Sequence, residues 1–124
     1  MRQLLMIALG GALGSVLRYS FYVWLPTTTA SSFPWATLWV NLIGCLVAGL
    51  TMGLIIHHQA LSAEWRLFLM VGLTGGFTTF SAFGLETFEL LRRDAVAVAA
   101  TYVSASVMVG LLCVWLGYTL VTKS

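Results

Sequence analysis

Apolar runs long enough to cross a bilayer recur four times in this chain, over residues 3–25, 34–56, 65–91 and 95–121. A membrane-crossing helix needs about 20 mostly apolar residues, and in lipid its backbone must satisfy its own hydrogen bonds. The sequence therefore reads as an all-α membrane protein, a single four-helix transmembrane domain over residues 1–124. With 60% hydrophobic and 8% charged residues, a soluble domain of this length would have too little interior to hide the apolar surface. The lipid bilayer is its solvent. A net charge of +2, spread along the chain, is too weak for a nucleic-acid surface.

The segments between the runs are legible. "PTTTASSFP" supplies prolines and hydroxyls, "HHQALSAE" offers Ser62 as a helix cap, and "RRD" predicts a tight hairpin. Trp24, Trp35 and Trp65 stand at run ends, where an indole prefers the headgroup level. "MRQLLMIALGGALGS" imitates a secretory leader. Three further runs and resumed hydrophobicity after Arg18 make it a first membrane helix instead. Cys45 and Cys113 lie mid-run and read as small core hydrophobes. His57 and His58 fall at a run end and are assigned to solvent.

Four crossings place both termini on one side, with Arg2, Arg66 and Lys123. The other side has Arg92 and Arg93, plus Arg18 if it snorkels outward. The Lys/Arg bias sets orientation, and three against two or three is almost none. Such a chain can insert both ways and pair with its inverted copy. Small-xxx-small spacings at Gly10/Gly14, Gly49/Gly53 and Gly72/Gly76 allow close helix approach, within one chain or between chains. A pore is hard to build between four short helices of one chain, which favours an oligomer.

Polarity in lipid marks function or structural necessity. Arg18 and Asn41 lie within runs. Asn41 follows Thr37 by one turn and must find partners across helices or in a ligand. Tyr102, Ser106 and Gly110 form a stripe at i, i+4 and i+8, suited to packing or to successive donors for an anion. In "TGGFTTFSAFGLETF", Gly75, Gly76, Thr78 and Thr79 weaken helix propensity mid-run. They predict a third helix broken at mid-membrane, with freed carbonyls suited to a hard cation. Phe80, Phe83 and Glu86 step by three along one face. A Phe pair at this spacing is ordinarily packing; beside the helix break, its ring edges, which carry the positive end of the aromatic quadrupole, can line a route for a small anion.

With "GGALGSVLRY", "TLWVNLIGC" and "GLTGGFTTFSAF" in its first three runs, the chain resembles the fluoride channels of the Fluc (CrcB) family over essentially its whole length. The resemblance implies an antiparallel dual-topology homodimer with two fluoride pores in a bacterial plasma membrane. Its Na⁺ would be structural and not transported, held by the backbone carbonyls of Gly75 and Thr78 from both subunits. It also implies that Asn41, Phe80 and Phe83 line the pore, with Thr37, Glu86, Tyr102 and Ser106 as a polar track. Arg18 would stand near the vestibule. Ala82 replaces an expected hydroxyl residue, and Gly110 stands where some members carry serine.

Two other readings compete. A small multidrug-resistance transporter also has four spans, but needs an acidic residue in its first helix. Here the first run's charge within the membrane is Arg18. A non-transporting assembly subunit leaves Asn41 and Glu86 unexplained. An enzyme is disfavoured, because no nucleophile–base pair or metal cluster can be assembled from these residues.

Overall fold

The computed structural model describes residues 1–25, 33–57, 59 and 61–123, which are mostly helical with no strand among them. Most of the first connecting segment, with His58 and Ala60 of the second, lies outside the described residues. Helix α1 spans Arg2–Trp24 and α2 spans Trp35–His57. A third rod, Ala63–Arg92, is composite. It runs through α3 (Ala63–Arg66), a π-helical segment (Leu67–Thr74), α4 (Gly75–Phe77) and α5 (Phe80–Arg92). Helix α6 spans Val96–Thr122. These make four helices long and apolar enough to cross a membrane.

Local chemistry sets the ends. Ser62 Oγ accepts the Trp65 N–H at 3.4 Å, capping α3 as its sequence position predicts. The α5–α6 hairpin turns on Asp94, whose φ of 58° is left-handed. Its N–H bonds Leu91 O at 3.1 Å and the Ala95 N–H reaches Leu90 O at 3.0 Å. That pair of bonds is a Schellman ending with Asp in place of the usual glycine.

Two close helix pairs build the bundle: α2 lies against α6, and α1 lies against the π-helical segment and α4. Glycines allow both. A Cβ on Gly10 would meet Phe68 O at 2.5 Å, and one on Gly76 would meet Gly11 O at 2.5 Å. A Cβ on Gly49 would collide with the Val114 carbonyl, and one on Gly53 would sit 2.8 Å from Val121 Cβ. All three small-residue pairs are thus used inside one chain, the intramolecular of their two readings. Each intramolecular pair brings backbones too close for a side chain between them.

The interior is small: Leu38, Leu42, Leu90, Ala99 and Tyr102 cluster where α2, α5 and α6 meet. Large apolar side chains such as Leu4, Leu9, Val16, Met108, Leu111 and Trp115 face outward. Lipid satisfies that surface as water would not. This is a multi-pass membrane protein.

Candidate functional site

The third rod changes partner at two residues. Thr78 (φ −75°, ψ 158°) and Thr79 (φ −150°, ψ 113°) are extended between α4 and α5. The rod packs on α1 before them and chiefly on α6 after them. The glycines do not interrupt it. Gly75 has helical angles (φ −64°, ψ −38°), and among the described residues no glycine has positive φ. Gly76 packs on Gly11 of α1, which holds the helix there; the extended backbone belongs to the threonines.

Extended backbone within an apolar bundle needs partners for every N–H and C=O. Side chains from two other helices supply them. Asn41 of α2 bonds both main-chain groups of Thr79: Oδ1 accepts the N–H at 2.8 Å and Nδ2 donates to the carbonyl at 3.1 Å. A primary amide suits this task because it carries an acceptor and donors side by side, as a peptide does. Arg18 of α1 donates from Nη1 to the Thr78 carbonyl at 3.1 Å. Thr78 gives both its N–H (2.9 Å) and its hydroxyl (2.8 Å) to Thr74 O. Thr79 Oγ1 accepts the Ala82 N–H at 3.2 Å and so caps α5. Arg18 is half-buried and spent on this stretch rather than held out toward solvent.

A second polar group lies between α2, α5 and α6. Glu86 accepts from Thr37 Oγ1 at 2.6 Å on one oxygen and from Tyr102 Oη at 2.7 Å on the other. Thr37 and Tyr102 are fully buried. Ser106 instead donates to the carbonyl of Tyr102 in its own helix at 2.7 Å. Of the stripe's two hydroxyls, Tyr102 thus gives its proton to a carboxylate one helix away and Ser106 gives its proton to its own helix backbone. Gly110 faces Cys45, with room for a Cβ 3.5 Å from its sulfur.

The two phenylalanines differ. Phe83 is half-buried against the core, 5.3 Å from the Tyr102 ring, whereas Phe80 is 82% exposed. Their rings touch at 5.6 Å with a 39° tilt. His57 is exposed as expected, but its Nε2 lies 2.9 Å from Tyr118 Oη and ties α2 to the end of α6.

Tyr22 was not anticipated. Its hydroxyl meets Thr37 Oγ1 at 3.2 Å, which brings α1 into the Glu86 group. The available signal was its place one helical turn after Arg18, on the same face.

Whether Gly75 and Thr78 suit a cation can be tested on the backbone. In a continuous helix the Thr79 N–H would bond the Gly75 carbonyl, but it goes to Asn41. Gly75 is exposed, and a Cβ there would find only Met70 O, at 3.7 Å. Its backbone can be approached. The Thr78 carbonyl keeps one lone pair beside the one facing Arg18. One chain thus offers two oxygens of the right kind, about half of the small shell a hard cation takes, one of them shared with a guanidinium. Among the described residues no group of three or more His, Cys, Asp or Glu could hold a metal.

Comparison with known proteins gives the family. The model described as "CrcB-like protein, Camphor Resistance (CrcB)" matches residues 5–118. A protein of Methylobacillus flagellatus named fluoride-specific ion channel FluC is 48% identical over 122 residues, covering 98% of this chain and 95% of that one. A Thermus thermophilus protein of the same name is 49% identical over 116 residues (94% and 91%), and one from Agrobacterium fabrum is 42% identical over 120 (97% and 96%). With a match that runs through α1, the Thr78–Thr79 stretch and most of α6, this chain belongs to the CrcB family.

Proposed function

We propose that this chain is a subunit of a passive, fluoride-specific ion channel that drains fluoride from a bacterial cytoplasm across the inner membrane. The observation that carries the proposal is near-full-length similarity, at 42–49% identity, to proteins named fluoride-specific ion channels. Fluoride that enters as neutral HF and ionises inside is trapped as the anion. A route down its gradient lowers its toxicity without further coupling.

Fluoride holds its water strongly, so a pore has to replace those hydrogen bonds nearly in full. Asn41 uses one amide N–H on Thr79, and its second N–H is the donor offered to the anion. The ring edges of Phe80 and Phe83 add weak positive character along the path. Glu86 holds the Thr37 and Tyr102 protons at rest, and Ser106 lies one turn beyond Tyr102. Arg18 raises the local positive potential near the vestibule.

The working unit is an antiparallel, dual-topology homodimer with the third helix interrupted at mid-membrane. Support comes from the balanced charges and from a Phe80 ring and Gly75 backbone left uncovered in a single chain. A two-fold axis beside Gly75 and Thr78 doubles their carbonyls to four, enough for a structural Na⁺. That ion would supply fixed positive charge and would not itself be carried.

The test is a liposome experiment with a sodium gradient and no fluoride gradient. A passive channel leaves fluoride at equilibrium. Sustained uphill fluoride movement under that gradient, or under a proton gradient, would establish a coupled transporter instead.

A further inference from the structure

We infer that Tyr22 is a positioning residue of the polar track: its hydroxyl fixes the direction of the Thr37 proton and strengthens it as a donor. The inference rests on the channel reading for its functional consequence, but its geometry stands alone. Thr37 has a single hydroxyl proton. At 2.6 Å from Glu86 Oε1 that proton is committed to the carboxylate. In the 3.2 Å contact between Tyr22 Oη and Thr37 Oγ1, Thr37 must therefore accept, and Tyr22 must donate.

The result is a directed chain, from the α1 hydroxyl to the α2 hydroxyl to the α5 carboxylate, which Tyr102 of α6 meets at 2.7 Å on its other oxygen. A hydroxyl that accepts a hydrogen bond becomes a better donor, and the effect is larger in a dry interior. Thr37 is 0% exposed, so water does not stand in for Tyr22 at its oxygen. The same face of α1 carries Arg18, which braces Thr78 one turn earlier. One helix thus sets both polar groups, the extended stretch through Arg18 and the carboxylate network through Tyr22.

By holding the Thr37 proton on Glu86, Tyr22 sets how strongly that carboxylate is hydrogen-bonded, and with it the local negative charge that fluoride meets in the proposed pore. Tyr22 acts through Thr37.

Tyr22→Phe keeps the ring and removes the donor. The reconstituted full-length protein should lose about three- to tenfold in fluoride efflux, the range of one modest hydrogen bond. The second readout is the infrared carboxylate stretch of ¹³C-glutamate-labelled protein, assigned to Glu86 by its loss in Glu86→Gln. It should shift in Tyr22→Phe. In a Thr37→Val background, where the relay is already cut, Tyr22→Phe should shift it no further. An unmoved band in Tyr22→Phe, a shift that persists in Thr37→Val, or full flux in Tyr22→Phe would each overturn the role. Absence of fluoride efflux from the unsubstituted protein would instead defeat the channel reading, leaving the infrared arms to judge Tyr22 by themselves.

Discussion

Asn41 holds both backbone groups of Thr79 in one amide, a neutral donor–acceptor pair that among the amide side chains only glutamine shares. Glutamine's longer stem moves the amide by a methylene and does not restore the 2.8 Å and 3.1 Å bonds without shifting α2. Asn41→Leu should therefore destabilise the protein by about 1–3 kcal/mol for each buried group left unpaired. Unfolding in mixed micelles measures this, and a loss below about 0.5 kcal/mol would mean that the stretch finds other partners. Phe80 and Phe83 divide differently. Phe83 supports the core and Phe80 does not touch it, so Phe80→Ile should cut fluoride flux while leaving subunit stability unchanged. Phe83→Ile should lower both, since it also removes the contact with Tyr102. Equal flux and equal stability in the two variants would reduce both rings to packing. Arg18, Asn41 and Glu86 were legible in the sequence as polar groups where polarity is expensive. Their partners could not be read from spacing, because they lie 16 to 60 positions away and tertiary packing selects them; the resemblance alone grouped Glu86 with Thr37 and Tyr102.

Among the elements, the third rod refines its reading most. Thr78 and Thr79, and before them the glycines Gly75 and Gly76, together read as the weak stretch. The structure keeps both glycines helical and uses Gly76 for contact with Gly11, while Thr78 and Thr79 take the extended angles. Propensity registers that a glycine weakens a helix in isolation. It does not register that a neighbouring backbone at van der Waals distance holds the helix in place. The four spans were legible from hydropathy because length and apolarity suffice to define them. The π-helical turns of Leu67–Thr74 were not, since their composition is that of any apolar helix. Gly14→Ala would push a Cβ to 2.7 Å from Phe77 N, against a backbone that cannot yield. Gly110→Ala meets only the Cys45 sulfur at an ordinary 3.5 Å. The first should lower thermal stability by several degrees and the second should leave it unchanged or raise it, through better helix propensity. Comparable melting of the two variants would contradict the close packing of α1 on the third rod.

For the whole molecule, the near-equal distribution of Lys and Arg remains the argument for two orientations, since the glycine pairs are consumed within the subunit. A reporter fused after Lys123 should be found on both faces of the membrane. Two added lysines beside Lys123 should draw that end to the cytoplasm and depress transport, which an oppositely biased copy should restore. A reporter found on one face alone would leave the antiparallel dimer without its basis. The central claim, fluoride conduction, is tested most directly by efflux from liposomes containing the purified protein and loaded with equal fluoride and chloride. The account predicts rapid fluoride release down its gradient, abolished in protein-free vesicles, with chloride retained on the same timescale. Fluoride release no faster than from protein-free vesicles, or chloride leaving alongside it, would contradict the account.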